Sequence, residues 1–459
     1  MLVLVLVLVL KSRPVYAWVR CRSLPSLASD GYRMRAMIRC ACVIMGGRAR
    51  EAPGMDENEL FQAALGLLPP WLVSRCTFDE SAGRLDIHLD FPRGSVFPCP
   101  ACGVPSKAYD TEDLTWRHLN FFQHQAFLHA RTPRVECSGC GIHRVAVPWA
   151  RPGSSFTLLF EALVMMLVKS TPVLAVARLV SEHDTLIWRM VTHYVDAARA
   201  KADHSSVTQV GVDETASRRG QRYVSLFVDL EQRKVLLATP GKDASTVAVF
   251  AADLKAHGGD PQAVTEVSAD MSQAFAKGIA ASLPNAVVTF DKFHVVSLVN
   301  NAVEKVHRQE RKDHPELVGS RYVFLKNPEN LTESQWEKFD ALDVANSHLK
   351  TARAYQIRLV FQDLFNQPAD KAQSFLNKWY FWATHSRIPA IIDVARTIRR
   401  HQDGILRWFI SGINNGILEG INSLVQAAKA KARGYRSDRN LATIIYLIAG
   451  KLDLARLPT

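Results

Sequence analysis

The sequence predicts an α/β protein: a mixed sheet interrupted by an all-helical insertion, preceded by a cysteine-bearing β module and a short run of helices. Three observations carry this expectation. Strand-type and helix-type patterns alternate between residues 207 and 290, strand signals vanish from about 295 to 410, and two C-x-x-C pairs sit in a strand-rich stretch, at Cys99/Cys102 and Cys137/Cys140.

Composition sets the bounds. The 459 residues are 48% hydrophobic and 22% charged, enough for a sizeable core and two to four domains. The formal charge is +12, which favours a polyanionic partner. Residues 1–54 carry +7 of it, with nine Lys/Arg against Asp30 and Glu51, so the remaining +5 makes the body only mildly basic. The opening MLVLVLVLVL is too short to span a bilayer, which takes about 20 residues. Residues 1–54 read as an over-extended gene start or a disordered tail, or alternatively as a targeting or membrane-surface segment. No other run looks transmembrane, so no membrane partner is expected. With no secretion signal, paired cysteines argue for metal rather than disulfides and for a reducing cytoplasm, nucleoid-associated if DNA is the partner.

From residue 55 the elements follow in order. Residues 55–150 form the first domain: a short helix, a hairpin around Ala82-Gly83, and the stretch holding both cysteine pairs, with strands at 115–119 and 127–134. Each pair leaves two residues between thiolates and is followed by glycine, which accepts the tight backbone of a zinc knuckle. Cys99, Cys102, Cys137 and Cys140 therefore make a closed, structural four-sulfur Zn²⁺ site. His118, His124, His129 and His143 lie nearby and are not expected to be ligands.

Residues 151–203 read as three helices. Phe156–Lys169 is apolar; Ser170-Thr171-Pro172 supplies an N-cap and first-turn proline for Val173–Val180; Thr185–Arg199 is the third. Tight turns and Arg189, His193 and Arg199 on the last helix fit a DNA-binding helix-turn-helix, with a plain helical linker as the alternative.

Residues 204–455 carry the chemistry. Strands at 207–212, 222–230 and 234–238 are close enough to be antiparallel. A helix at 244–257 then crosses to a strand at 264–268 that can pair in parallel beside the first, with a helix at 273–282 and a strand at 286–290 completing the set. This is the RNase-H-like plan, with a helical insertion at about 295–410. It puts Asp213, at the end of the first strand, beside Asp270. Glu419 opens a helix at 416–432 whose polar stripe is Glu419, Asn422, Gln426, Lys429 and Arg433, opposite an apolar stripe of Leu418, Ile421, Val425, Ala428 and Ala432. Converging carboxylates suit two Mg²⁺ (or Mn²⁺) ions about 3.5–4 Å apart, which stabilise both oxygens of an in-line phosphoryl displacement. Lys429, Arg433 and Arg436 add charge for a phosphate backbone. Glu214, Asp229, Asp253 and Asp291 compete for the same role. Asp291 is either an auxiliary ligand or a cap, and His294 either a DNA contact or a cap. No G-x-x-x-x-G-K-[ST] loop is present, so ATP use is not expected.

The motifs Cys99-Pro-x-Cys-Gly, Val212-Asp-Glu214, Ala269-Asp-Met-Ser272, Phe290-Asp-Lys-Phe-His294 and Leu418-Glu-Gly-Ile-Asn422 with Gly434-Tyr435 resemble, in this order, bacterial insertion-sequence transposases of the ISL-three type. The likeness covers about residues 55–455. It implies a zinc ribbon, a helix-turn-helix and a DDE catalytic domain whose triad falls on Asp213, Asp270 and Glu419. It also implies strand cleavage and strand transfer at terminal inverted repeats and target DNA by a homo-oligomer. The segment after Asp270 departs from the pattern: Met-Ser-Gln stands where an aromatic is expected, a role left to Phe275. The alternative function is a zinc-ribbon DNA-binding regulator, or an inactive, domesticated transposase.

Overall fold

The computed structural model describes residues 56–218, 222–342, 348–413 and 416–454. The expectations for residues 1–54 lie outside the described residues. No helix among the described residues is long and apolar enough to cross a membrane.

The chain divides into two compact units. The described part of the smaller unit comprises residues 56–77 and 87–95. It opens with helix α1 (Glu57–Ala64), capped reciprocally by Asp56 and Glu59. Gln62 braces the exit of α1, donating to the Trp71 carbonyl at 3.0 Å and accepting from the Val73 amide at 2.7 Å. Strands β1 (Leu72–Asp79) and β2 (Arg84–Asp90) lie mostly in this unit, where Trp71 meets Phe91 edge-on.

The larger unit begins with a long antiparallel hairpin, β4 (Pro105–Phe121) and β5 (His124–Cys137). It is flanked by β3 (Val96–Pro98) on β4 and by β6 (Gly141–Arg144) on β5. Both strands of the hairpin are longer than the sequence pattern suggests, because the alternation continues through polar residues such as Lys107–Asp113 that face solvent. The four cysteines gather at one end of this hairpin, with their sulfurs all within 4.8 Å of one another. Cys102 and Cys137 sulfurs stand 3.6 Å apart. A tetrahedron with Zn–S bonds of about 2.3 Å has edges of about 3.8 Å, so this donor set fits zinc. Gly103 and Gly141 take the left-handed conformation (φ 77° and 83°), as the knuckle turn requires. Amides of Ala101 and Cys102 point at Cys99, and those of Gly139 and Cys140 at Cys137, lowering both thiols toward the thiolate form that a metal binds. None of the four nearby histidines joins the cluster: His143 bonds the Cys140 carbonyl, His129 pairs with Asp86 and His118 with Thr157.

Three helices follow: α2 (Leu158–Val168), α3 (Val173–Leu179) and α4 (Asp184–Arg199). Thr157 caps α2 and His183 caps α4, whereas α3 has no side-chain cap. Pro172 itself occupies the capping position there, so the expected Ser/Thr cap is absent. Buried Glu161 on α2 receives Arg151 at 2.9 Å, Ser154 at 2.7 Å and the Tyr194 hydroxyl of α4 at 2.5 Å, which satisfies a carboxylate with no exposure.

The central sheet has the order β11-β10-β7-β8-β9. Its strands are β7 (Gln209–Arg218), β8 (Arg222–Asp229), β9 (Lys234–Pro240), β10 (Glu266–Ala269) and β11 (Val287–Phe290). β7, β8 and β9 are antiparallel; β10 pairs in parallel with both β7 and β11. Helices α5 (Ala244–Ala256) and α6 (Gln273–Ser282) cover one face over Val210, Val212, Phe227 and Val267. The other face, through Val224, Leu226 and Val228, shares one core with α2–α4, α14 (Gly416–Lys431) and α15 (Asp438–Ala449). Here β7 departs from expectation. It runs on to Arg218, past Asp213, because β8 still pairs with it after the parallel pairing to β10 has ended at Gly211.

Between β11 and α14 lies the helical insertion, which starts at Lys292, three residues earlier than expected. It contains α7 (Lys292–Glu310), α8 (Glu333–Ala341), α9 (Lys350–Gln362), α10 (Ala369–Thr384), α11 (Pro389–Arg400) and the short α12 (Gln402–Leu406) and α13 (Trp408–Ser411). It has its own core around Val299, Phe324, Tyr355, Phe361 and Trp379. Links to the sheet include an Arg407–Glu266 ion pair, a Thr289–Ser411 hydrogen bond of 3.2 Å and Phe290 of β11, which packs into the insertion's core.

Helix α14 sits on β7 through Gly211. A Cβ there would meet Leu230 Cδ2 at 2.8 Å and Leu418 Cδ1 at 2.9 Å. Gly211→Val is therefore expected to destabilise the protein by about 1–3 kcal/mol, measured by chemical denaturation, and to lower activity by lifting α14. Cys137→Ser is expected to remove one zinc equivalent per chain by elemental analysis and to leave the β4–β5 hairpin open to proteolysis.

Candidate active site and nucleic-acid interface

Parallel register decides where the acids fall. Ser268 lies opposite Gly211, and Ala269 opposite Phe290. Two residues beyond Gly211 and Ser268, Asp213 and Asp270 stand level on neighbouring strands, and Asp291 stands level with Asp270 on the third. Alternation puts Val212 and Ala269 in the core under α5 and α6, so Asp213 and Asp270 face the side that carries α14.

Helix α14 runs alongside β7, and its polar stripe reads the strand residue by residue. Asn422 Nδ2 donates to Asp213 Oδ2, Gln426 Nε2 to Thr215 Oγ1 at 2.5 Å, and Lys429 Nζ to the Ala216 carbonyl at 2.5 Å. A helix rises about 1.5 Å and a strand about 3.3 Å per residue, so seven helix residues match three strand residues. Leu418, Ile421 and Val425 are buried beneath this stripe. Glu419 lies one turn before Asn422 on the same stripe, with its side chain exposed. The structure thus brings Asp213 and Asp270 together and seats the helix that bears Glu419 beside them. Among the described residues, no hydrogen bond or ion pair joins Glu419 to either aspartate.

The electrostatics mark a crowded anionic pocket. Burial pushes the Asp213 carboxyl up, and the charges of Asp270 and Asp291 add to this, against the Glu214 amide at 2.7 Å and the His294 imidazole. Burial also raises Glu214, with Asp270 adding to it and Lys242 opposing. His294 is pushed up to about 9, first by its hydrogen bond from Nδ1 to Asp291 Oδ2 (2.9 Å) and further by Asp213 and Asp270. It is a protonated counter-charge at the rim of the pocket.

Of the competing acids, Glu214 stays in the pocket, and the other three have partners of their own. Asp291 caps α7, accepting from the Phe293 amide at 2.9 Å with one oxygen and from His294 with the other. Asp229 is buried in the β8–β9 turn, accepting from the amides of Glu231 and Gln232. Asp253 is paired with Arg199. Phe275 is fully buried on α6 and packs in the sheet core.

The basic candidates divide. Arg189 and His193 are exposed, one turn apart on α4. Arg199 instead turns inward, bonding Asp253 at 2.6 Å and lying 4.5 Å over the Tyr446 ring. Lys429, Arg433 and Arg436 line a cleft of about 760 Å³ between α3, α4 and the end of α14, together with Arg218, which the sequence reading did not single out. Arg433 takes φ 56° and Gly434 φ 94°, a left-handed pair that turns the chain toward Tyr435 and the cleft. Arg436 approaches Asp184 at 3.6 Å but is otherwise open to solvent.

The comparisons follow the same order along the chain. Residues 95–140 match the zinc finger of transposases IS204, IS1001, IS1096 and IS1165. Residues 145–195 match the helix-turn-helix domain of transposase family ISL3. Residues 210–445, which hold both the sheet and the insertion, match the family's DDE domain, described as a transposase. The transposase for insertion sequence element IS1557 of Mycobacterium tuberculosis is 29% identical, with 86% of this chain and 96% of the relative covered. That for IS1001 of Bordetella parapertussis is 31% identical, with 79% and 91% covered. Three family models in chain order and relatives matched over most of their length agree, and this chain belongs to the ISL3 family of insertion-sequence transposases.

Proposed function

We propose that this transposase cuts and rejoins DNA with divalent metal, Mg²⁺ or Mn²⁺, held by Asp213, Asp270 and Glu419. The observation that carries the proposal is the level placement of Asp213 and Asp270 on adjacent parallel strands, under the helix that presents Glu419. The donor set fits a hard cation: carboxylate oxygens crowd a pocket where burial and mutual repulsion disfavour their charge, and a dication relieves both. When bound, paired ions supply Lewis-acid stabilisation of the attacking and leaving oxygens at the scissile phosphate.

The chain's own residues do the positioning. Asn422 fixes the Asp213 carboxylate, and Gln426 and Lys429 hold α14 to β7, so that Glu419 is carried on a rigid element. His294 offers a positive charge to a phosphate at the pocket rim. Arg218, Arg433 and Arg436 face the cleft and take the DNA backbone, while Arg189 and His193 on α4 meet the element end. We assign the DNA bound to the terminal inverted repeats and the target, handled by a homo-oligomer that bridges two ends.

Asp213→Asn, Asp270→Asn and Glu419→Gln are each expected to lower strand cleavage by at least about 100-fold while leaving DNA binding intact. Asn422→Ala should lose roughly 10–100-fold, as an outer-shell partner does. Cleavage that survives Glu419→Gln would remove Glu419 from the site. A parent protein that binds DNA but never cleaves would favour the regulator reading. Arg189→Ala and Arg433→Ala are expected to weaken DNA binding and to reduce the salt dependence of log K by about one per lost phosphate contact, read by fluorescence anisotropy across a salt series.

A further inference from the structure

Away from the acids and the four cysteines, a second group of metal-ligating side chains gathers at the far end of α5. His204 sits in the loop between α4 and β7. Asp253 lies in the last turn of α5, and His257 immediately follows that helix. One ligand atom from each lies within 4.8 Å of the others. The rings of His204 and His257 stack with centroids 4.8 Å apart.

His204 is 3% exposed, and neither of its ring nitrogens has a hydrogen-bond partner. A buried polar group left unsatisfied costs about 1–3 kcal/mol, so such an arrangement needs a reason. Burial lowers the His204 pKa, so the ring is neutral and one nitrogen keeps its lone pair. Asp253 gives one oxygen to Arg199, while its Oδ2 lacks a hydrogen-bond partner. His257 Nδ1 donates to the Asp253 carbonyl oxygen at 2.7 Å and stands 3.5 Å from Asp253 Oδ2. That backbone partner is typical of a metal-ligating imidazole.

The backbone holds the group together. The His204 amide donates to the His257 carbonyl at 2.9 Å. At Gly259 a Cβ would lie 2.6 Å from the His204 carbonyl oxygen, so only glycine allows this approach. His204 forms part of the wall of a cleft of about 650 Å³.

We infer that His204, Asp253 and His257 form a second transition-metal site, for Zn²⁺ or a similar borderline dication, distinct from the cysteine cluster and from the catalytic acids. Two imidazoles and one carboxylate favour zinc, cobalt or nickel over magnesium, which takes oxygen ligands. The ion fastens the segment joining the helix-turn-helix to the first catalytic strand onto α5. Reading Asp253 only as the counter-ion of Arg199 leaves both His204 nitrogens unexplained.

The test is metal stoichiometry on the full-length chain, stripped with chelator and titrated with Zn²⁺ in the presence of excess Mg²⁺. The parent is expected to bind two equivalents. His204→Gln and His257→Gln should each bind one, with circular dichroism spectra matching the metal-free parent. Cys137→Ser should retain one, and with Co²⁺ that one should show d–d absorption without the thiolate charge-transfer band. A parent that saturates at one equivalent overturns the proposal, as does a His204→Gln or His257→Gln protein that still binds two.

Discussion

The catalytic half of the molecule depends on one close approach, the seat of α14 on β7 at Gly211. The missing side chain lets Leu418 and Leu230 close over the strand. From that seat, the helix and strand run in step, so Asn422, Gln426 and Lys429 each find a partner on β7. The same contact joins α14 to the core shared by α2–α4 and α15. Reader helices and acid-bearing sheet are therefore parts of one packed body, and the basic cleft between them has fixed walls.

The pocket accumulates negative charge that the apolar layers around it do nothing to relieve. Asp213 and Glu214 come from β7, Asp270 from the end of β10 and Asp291 from the end of β11. The cations that answer them at Asp213 and Glu214 are His294 and Lys242, beside the Glu214 amide. Crowded carboxylates of this kind disfavour one another's charge and mark a site more often than a plain surface. The cysteine cluster is the opposite case: a closed shell, with amides aimed at its sulfurs, that shapes a hairpin and leaves no position for chemistry.

Much of this was legible in the order of the residues. The spacing of strand and helix patterns between 207 and 290 specifies the crossover, and hence that Asp213 and Asp270 are neighbours. The 0, 3, 7, 10 rhythm from Glu419 to Lys429 specifies the face of α14 that meets the sheet. What pattern could not reveal were facts of tertiary pairing. β7 outruns its parallel neighbour because its antiparallel one continues. Arg199 looked like a DNA contact on a basic helix, but a partner 54 residues later, Asp253, draws it inward. For Asp291 the sequence leaves auxiliary ligand and cap both open, and its oxygens meet the Phe293 amide and His294 at the start of the following helix. Gly211 carries no signal in a single sequence, since its role lies in two side chains it meets only on folding, Leu230 on the strand's partner side and Leu418 some 200 positions away.

The insertion between β11 and α14 enters at Lys292 and leaves after Ser411, and the Thr289–Ser411 bond cinches its two roots together. Its interior is mostly its own, with Phe290 of β11 reaching into it, so it behaves as a graft on the sheet's edge strand. The stretch of chain between β11 and α14 can therefore lengthen, shorten or be remodelled while the sheet keeps its own strand ends level.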